Sequence, residues 1–300
     1  MSVFNDFIVG TMPYVPKPIV AKVASRYIAG ATLSDAVNTV HQLNEMKAMA
    51  TVDVLGEDIF TKEQAVESRN GSTAVLHAIA EHQLDSNLSI KLTSLGLKMD
   101  KQFCLGNTGI IIDTAKKYNN FVRIDMEDRT CTDDTIGIYR TMRSRYEKVG
   151  IVIQAYLFRS EEDIRTLAAE KANVRLCKGI YVEPVDVAIK DRKGIQDNYL
   201  KLLRILFEGG SHVGIATHDD LLIDGAKVMI REMNIPKDRY EFQMLLGVRE
   251  ETRKKLIDEG HRMRVYTPFG KDWYGYSVRR LKENPQMAGH VFKAIFGIGQ

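Results

Sequence analysis

Two adjacent arginines near the C-terminal end, Arg279 and Arg280, are the side chains best suited to gripping a ligand. If a helix starts near Asp272 and stops before Pro285, Tyr276, Arg279, Arg280 and Glu283 fall at i, i+3, i+4 and i+7 and share one face. Such a face presents two guanidinium forks, which suit bidentate recognition of a carboxylate or phosphate, with Glu283 in helical reach to hold one of them. The commoner fate of an Arg-Arg pair is a solvated helix face. Here Tyr266, Trp273, Tyr274 and Tyr276 crowd the same segment of a chain that is otherwise poor in aromatics.

A second set of polar residues interrupts short apolar runs. Lys91 stands in Ser-Ile-Lys-Leu-Thr, Arg123 and Asp125 in Phe-Val-Arg-Ile-Asp-Met, and Gln154 after Ile-Val-Ile. Arg175 and Lys178 stand in Val-Arg-Leu-Cys-Lys-Gly, His218 ends Gly-Ile-Ala-Thr-His, Gln243 lies in Glu-Phe-Gln-Met-Leu, and Tyr266 closes the last run. Charges buried in strands must be paired or must meet a charged ligand. Any one of them alone is as readily an interior ion pair with no further role. Taken together the basic groups outnumber the acids, and the surplus calls for an anion. His218 has no second His, Cys or carboxylate at metal spacing, so no metal site is expected. Cys177 beside Lys178 reads as a small buried hydrophobe, and no Gly-x-Ser-x-Gly elbow is present. The chemistry left is borne by a cofactor or by a lysine.

Eight apolar runs read as the strands that position these residues: Thr51 to Leu55, Leu88 to Thr93, Phe121 to Met126, Ile151 to Leu157, Val174 to Tyr181, His212 to Thr217, Tyr240 to Leu246 and Arg262 to Thr267. Helical patterns follow them, among them Lys62 to Leu84, Thr132 to Val149, Glu161 to Glu170 and Glu250 to Glu259. Eight alternations at the spacing of one βα unit predict an α/β protein of the (β/α)8 TIM-barrel type. Two further helical patterns, Ile19 to Ile28 and Ser34 to Met49, predict an N-terminal helical extension over residues 1–50, with the barrel over 51–300. No Gly-rich loop of the dinucleotide-binding kind follows the first strand. Almost all of the polar residues fall toward the C-terminal half of their strands, the end of a barrel where ligands bind.

The net charge of +3, from 42 basic and 39 acidic residues with no basic stripe, argues against nucleic acid. Three unpaired cysteines and the absence of a signal-peptide pattern fit a reducing, cytoplasmic setting. No apolar run is long enough to span a bilayer, so membrane contact is expected to be peripheral.

Seven of the eight strand units carry, in order, Lys91-Leu-Thr, Arg123-Ile-Asp125-Met-Glu, Gln154-Ala-Tyr, Arg175-Leu-Cys-Lys-Gly-Ile-Tyr-Val-Glu-Pro184, Ala216-Thr-His-Asp, Glu241-Phe-Gln-Met-Leu-Leu-Gly and Arg264-Val-Tyr-Thr-Pro-Phe-Gly, closed by Tyr276-x-x-Arg-Arg-x-x-Glu-Asn284. This ordered set resembles the FAD-dependent proline dehydrogenases, and its compact length is most similar to the monofunctional bacterial type. The resemblance implies a distorted barrel with FAD at its C-terminal mouth and L-proline stacked on the isoalloxazine ring. It also implies electrons passed to a quinone, peripheral contact with the membrane, and a pyrroline-5-carboxylate dehydrogenase as the next enzyme. By motif, Lys91, Arg279 and Arg280 would bind the proline carboxylate, and Leu245, Tyr266 and Tyr276 would enclose the pyrrolidine ring. Asp125, beside the substrate, and Arg175, near the flavin N5, would be the catalytic pair. Met126, Gln154, Lys178, Gly179, Ile180, Thr217, His218, Gln243 and Glu283 would serve the cofactor. The usual fifth-strand motif reads Arg-Leu-Val-Lys-Gly-Ala-Tyr, so Cys177 and Ile180 are departures. The segment Val291 to Gly297 is expected to form a helix capping the barrel. A Schiff-base aldolase or lyase using Lys91 or Lys178, and a non-catalytic amino-acid sensor, are the rival readings.

Overall fold

The computed structural model describes residues 26–56 and 59–273. A helix, α1 (Leu33–Glu45), comes first, and then strands and helices alternate: β1 (Met49–Val54), α2 (Lys62–Glu81), β2 (Ser86–Ile90), α3 (Lys101–Lys117), β3 (Val122–Ile124) and α4 (Thr132–Arg145). They continue as β4 (Val149–Gln154), α5 (Ser160–Ala169), β5 (Asn173–Cys177), α6 (Arg192–Glu208), β6 (His212–Ala216), α7 (Asp220–Glu232), β7 (Tyr240–Leu245), α8 (Glu250–Asp258) and β8 (Met263–Phe269). All neighbours pair in parallel, and β1 pairs with β8, so the sheet closes into a (β/α)8 barrel. This is the architecture that eight alternating runs predict. Among the described residues no helix is long and apolar enough to cross a membrane.

Local chemistry sets the helix starts. Thr32 and Asp35 form a reciprocal capping box on α1, and Thr61 and Gln64 form one on α2. Asp100 and Asp191 cap α3 and α6 through carboxylates that accept the Phe103 and Gly194 N–H groups. The reading of one helix from Ser34 to Met49 runs too long. The chain leaves α1 at Met46, turns through Lys47 at φ 61°, and enters β1 at Met49. The expected Ile19–Ile28 helix lies outside the described residues except for 26–28, which form a turn. The Val291–Gly297 segment also lies outside them.

The strands alternate strictly. Val52, Leu88, Ile90, Val122, Ile124, Ile151, Val174, Leu176, Val213, Ile215 and Val265 face the helices and join one apolar core with Leu76, Ile111, Leu167, Leu202 and Leu222. Each such side chain contributes about 1.5–3 kcal/mol on burial. From α1, Ala36, Val37, Val40 and Leu43 enter the same core, packing against β8 and β1. The intervening strand positions point into the barrel, and they are largely polar: Asp53, Asn87, Ser89, Lys91, Arg123, Asp125, Gln154, Arg175, Glu241, Gln243 and Arg264 are all buried. The apolar core is therefore a shell between strands and helices, and the axis of the barrel is a column of hydrogen-bonded charge.

Candidate active site

At the C-terminal mouth the column is organised around Asp125. Its Oδ1 accepts from Ser89 Oγ at 2.6 Å and from Arg175 Nη1 at 2.8 Å, and its Oδ2 accepts from the Tyr266 hydroxyl at 2.9 Å. Lys91 Nζ donates to Asp53 Oδ2 at 2.7 Å and to the Tyr266 oxygen at 3.1 Å, and it stands 3.9 Å from Asp125 Oδ2. Arg175 Nε donates to Gln243 Oε1 at 2.6 Å, and its guanidinium lies 5.2 Å from the centre of the Tyr266 ring. Arg175 on β5 thus meets Asp125, just past the end of β3, and Gln243 on β7, a reach available only through the interior.

Electrostatics fixes the proton positions. Burial first, and the Asp125 carboxylate second, push the Tyr266 phenol well above its usual pKa. Tyr266 therefore stays neutral, passing a hydrogen bond from Lys91 on to Asp125. Lower in the column, Gln243 Nε2 donates to Glu241 Oε1 at 2.6 Å, and Arg264 Nε donates to the same oxygen at 2.7 Å. Burial alone would raise the Glu241 carboxyl, but the Arg264 guanidinium overrides it and holds the pKa at about 2. Glu241 also orients the Gln243 amide, so that its carbonyl oxygen is the atom presented to Arg175.

Around this centre lie the remaining expected residues. His218 Nε2 accepts the Leu245 N–H at 3.0 Å, tying the end of β6 to the end of β7. Gln154 donates to the Glu127 carbonyl at 2.8 Å and accepts the Ile180 N–H at 3.2 Å. Gly179 has φ +117°, and a Cβ there would lie 2.2 Å from the Tyr156 ring, so only glycine can follow this path. Lys178 and Arg192 share one carboxylate, Asp219, at 3.2 and 3.5 Å, and both cations remain solvent-accessible. Thr217 Oγ1 accepts the Asp219 N–H at 3.2 Å, and Met126 is buried in the apolar shell. Tyr276, Arg279, Arg280 and Glu283 lie outside the described residues.

Two sequence expectations change. Arg123 is not at the mouth. It sits at the opposite end, where its Nη1 and Nη2 donate to the carbonyl and side-chain oxygens of Asn173, the first residue of β5. Nor do bases outnumber acids among the described mouth residues, because Asp53, Asp125, Glu127 and Asp219 stand against Lys91, Arg175, Lys178 and Arg192 there. Asp53, Ser89, Asp219 and Glu241 are the functional neighbours that sequence reasoning missed. The period-2 alternation of Thr51, Asp53 with Val52, Val54 carried the signal for Asp53.

The donors suit a flavin nucleotide. Two cations sharing one carboxylate keep hydrogen-bonding capacity for a pyrophosphate, and the Gly179 turn brings bare backbone to the mouth. A family model for proline dehydrogenase matches residues 36–293. "Proline dehydrogenase 1" of Bacillus subtilis subsp. natto is 43% identical over 272 residues, covering 91% of this chain and 90% of the relative. "Proline dehydrogenase" of Deinococcus radiodurans is 36% identical over 277 residues, covering 91% and 89%. The crystal structure of proline utilization A from Bdellovibrio bacteriovorus, inactivated by N-propargylglycine, superposes with a TM-score of 0.82 at 26% identity. The match covers 93% of this chain and 34% of that one, so the chain spans about a third of that larger protein's length. Two-fifths identity along nine-tenths of the length, on a barrel of the same shape, means that this chain belongs to the proline dehydrogenase family.

Proposed function

We propose that the chain oxidises L-proline to Δ1-pyrroline-5-carboxylate, with FAD held at the C-terminal mouth of the barrel and a quinone as electron acceptor. The family is flavin-dependent and acts on proline in the first step of its catabolism. The observation that carries the reading for this chain is the hydrogen-bonded set Asp53, Lys91, Tyr266, Asp125 and Arg175, already ordered at the mouth. Lys91, joined by Arg279 and Arg280, binds the substrate carboxylate. Leu245, Tyr266 and Tyr276 wall the pyrrolidine ring, an apolar body with one charged handle. Asp125 holds Arg175 and Tyr266 in place beside the reacting atoms, and Arg175 supplies fixed positive charge there. Met126, Gln154, Lys178, Gly179, Ile180, Thr217, His218, Gln243 and Glu283 serve the cofactor, Lys178 with Arg192 meeting its phosphates. The flavin, when bound, supplies the hydride acceptor. A cytoplasmic protein that meets its quinone at a membrane surface, and hands its product to a pyrroline-5-carboxylate dehydrogenase, completes the reading.

The Schiff-base alternative is weakened because Lys91 is spent as a hydrogen-bond donor to Asp53 and Tyr266. An anaerobic visible spectrum, recorded before and after L-proline, tests the proposal. Bleaching of a bound flavin is the expected result. Bound flavin that ignores proline would move the substrate to another cyclic amine, and protein that cannot be loaded with FAD would overturn the reading.

A further inference from the structure

The interior column has a second end. Where the strands begin, it opens into a cavity of about 250 Å³ whose lining includes Asn87, Arg123, Asn173, His212, Arg262 and Arg264. Because all eight strands run in parallel, this cavity lies a barrel's length from the flavin mouth, roughly 15–20 Å for strands of five or six residues. None of the residues proposed for proline or the cofactor lines this cavity.

Charge does not balance here. Up the column, Asp53 pairs with Lys91, Asp125 with Arg175 and Glu241 with Arg264. Arg123 is left over. It is 1% exposed, and its guanidinium donates only to neutral oxygens, those of Ile151 at 3.1 Å and of Asn173 at 2.7 and 2.6 Å, and lies 4.8 Å from the centre of the Phe121 ring, while its Nε has no hydrogen-bond partner. A buried charge with no carboxylate in direct contact is costly for a fold to carry, and the Phe121 ring and the more distant Glu241 and Asp125 offset only part of that cost. Burial, with Arg175 nearby, lowers its pKa to about 9, which still leaves it cationic at neutral pH. At the rim, Lys148 donates to Asn119, and exposed Arg262 has Met49 Sδ at 3.5 Å with no carboxylate in ion-pairing reach among the described residues. His212 Nδ1 is buried without a partner. The lining thus holds four cations, Arg123, Lys148, Arg262 and Arg264, against two carboxylates, Asp85 and Glu241.

We propose that this cavity is a binding site for a phosphate-class dianion, free or as the head of a small monoester. Two negative charges match the surplus of two, and a tetrahedral oxyanion accepts from several directions at once. Guanidinium, ammonium, amide and imidazole groups surround it in that way. The bound anion gives Arg123 a counter-charge in direct contact, which no carboxylate among the described residues supplies.

The test is thermal melting of the flavin-loaded enzyme, titrated with inorganic phosphate and separately with glycerol phosphate, against chloride at equal ionic strength. Loaded flavin keeps the mouth's own phosphate donors occupied. A saturable rise in Tm is expected from at least one probe, and the tighter of the two identifies the source. Arg262→Ala and Lys148→Ala change rim side chains, so fold and proline oxidation are retained while phosphate affinity drops roughly tenfold. A Tm that follows ionic strength alone overturns the proposal. So does a saturable shift that both variants leave untouched, since that would locate the anion elsewhere. Failure of the flavin to bleach with proline bears on the catalytic reading and leaves this titration intact.

Discussion

Asp125 illustrates how one carboxylate can set the geometry of a whole site. Three donors converge on it from three other strands, so neutralising it frees Tyr266 and leaves Arg175 buried without its counter-charge. Asp125→Asn should lower kcat/KM for proline by about 30- to 5,000-fold, corresponding to the 2–5 kcal/mol of breaking a buried charge pair. Steady-state kinetics beside a melting curve would check this, and unchanged kcat/KM would remove Asp125 from the site. Gly214 offers a finer probe. A Cβ there would lie 2.4 Å from Gln243 Nε2, in a backbone that is outside the left-handed region, so the cost of alanine is one of space. Gln243 cannot yield without releasing Arg175 or Glu241. Gly214→Ala should therefore retain the fold yet lose roughly ten- to a hundredfold in turnover. At this scale the sequence was partly legible. Lys91, Asp125, Arg175, Gln243 and Tyr266 stood out as polar interruptions, and the structure brings them together. Asp53 and Glu241 hid because each sits in a run that reads as an ordinary strand, and nothing in sequence tells which strand neighbours across the barrel they will meet.

At the scale of elements, the eight strands were legible because their outward faces are mostly Val, Ile and Leu, with other apolar residues such as Ala50, Tyr240 and Met263, at every second position. Their ends were not. Ile151 to Leu157 was expected as one strand, but β4 stops at Gln154, and Ala155, Tyr156 and Leu157 turn over the mouth while remaining buried. Apolar residues that line a turn look like strand until the closing hydrogen bonds are known. The reading of α4 ran to Val149 for a related reason. The chain is already extended at Tyr146, the residue that ends the helix, and Val149 opens β4. α1 precedes the first strand yet buries Val40 and Leu43 in the shared shell, at 0% and 2% exposure. Leu43→Ala should cost about 2–5 kcal/mol in a single cooperative denaturant transition. A separate early transition would show α1 to be a loosely attached accessory.

The molecule as a whole carries two acid-sensitive groups at the N-terminal end of its barrel. Burial lowers the His212 pKa to about 4, against an ordinary 6.5, with Glu241 opposing. The unfolded chain takes that proton first, so stability falls as pH drops from 6.5 toward 4. Glu241, held at about 2 against an ordinary 4.5, contributes stability that is complete above 4.5 and is lost as pH falls toward 2. Denaturant midpoints measured in phosphate-free buffer from pH 7 to 3 should decline throughout, and His212→Gln should flatten the upper part. A flat wild-type profile would contradict both assignments. The pairing of β1 with β8, Met49 opposite Arg264 through Val54 opposite Phe269, has a consequence for biosynthesis. The first strand made waits for the last. Until the ribosome has released residue 269, Arg264 cannot reach Glu241 or the Ala50 carbonyl, and the barrel cannot close. Sealing the barrel pairs those charges in one late event, so the polar interior can assemble only after β8 has been made.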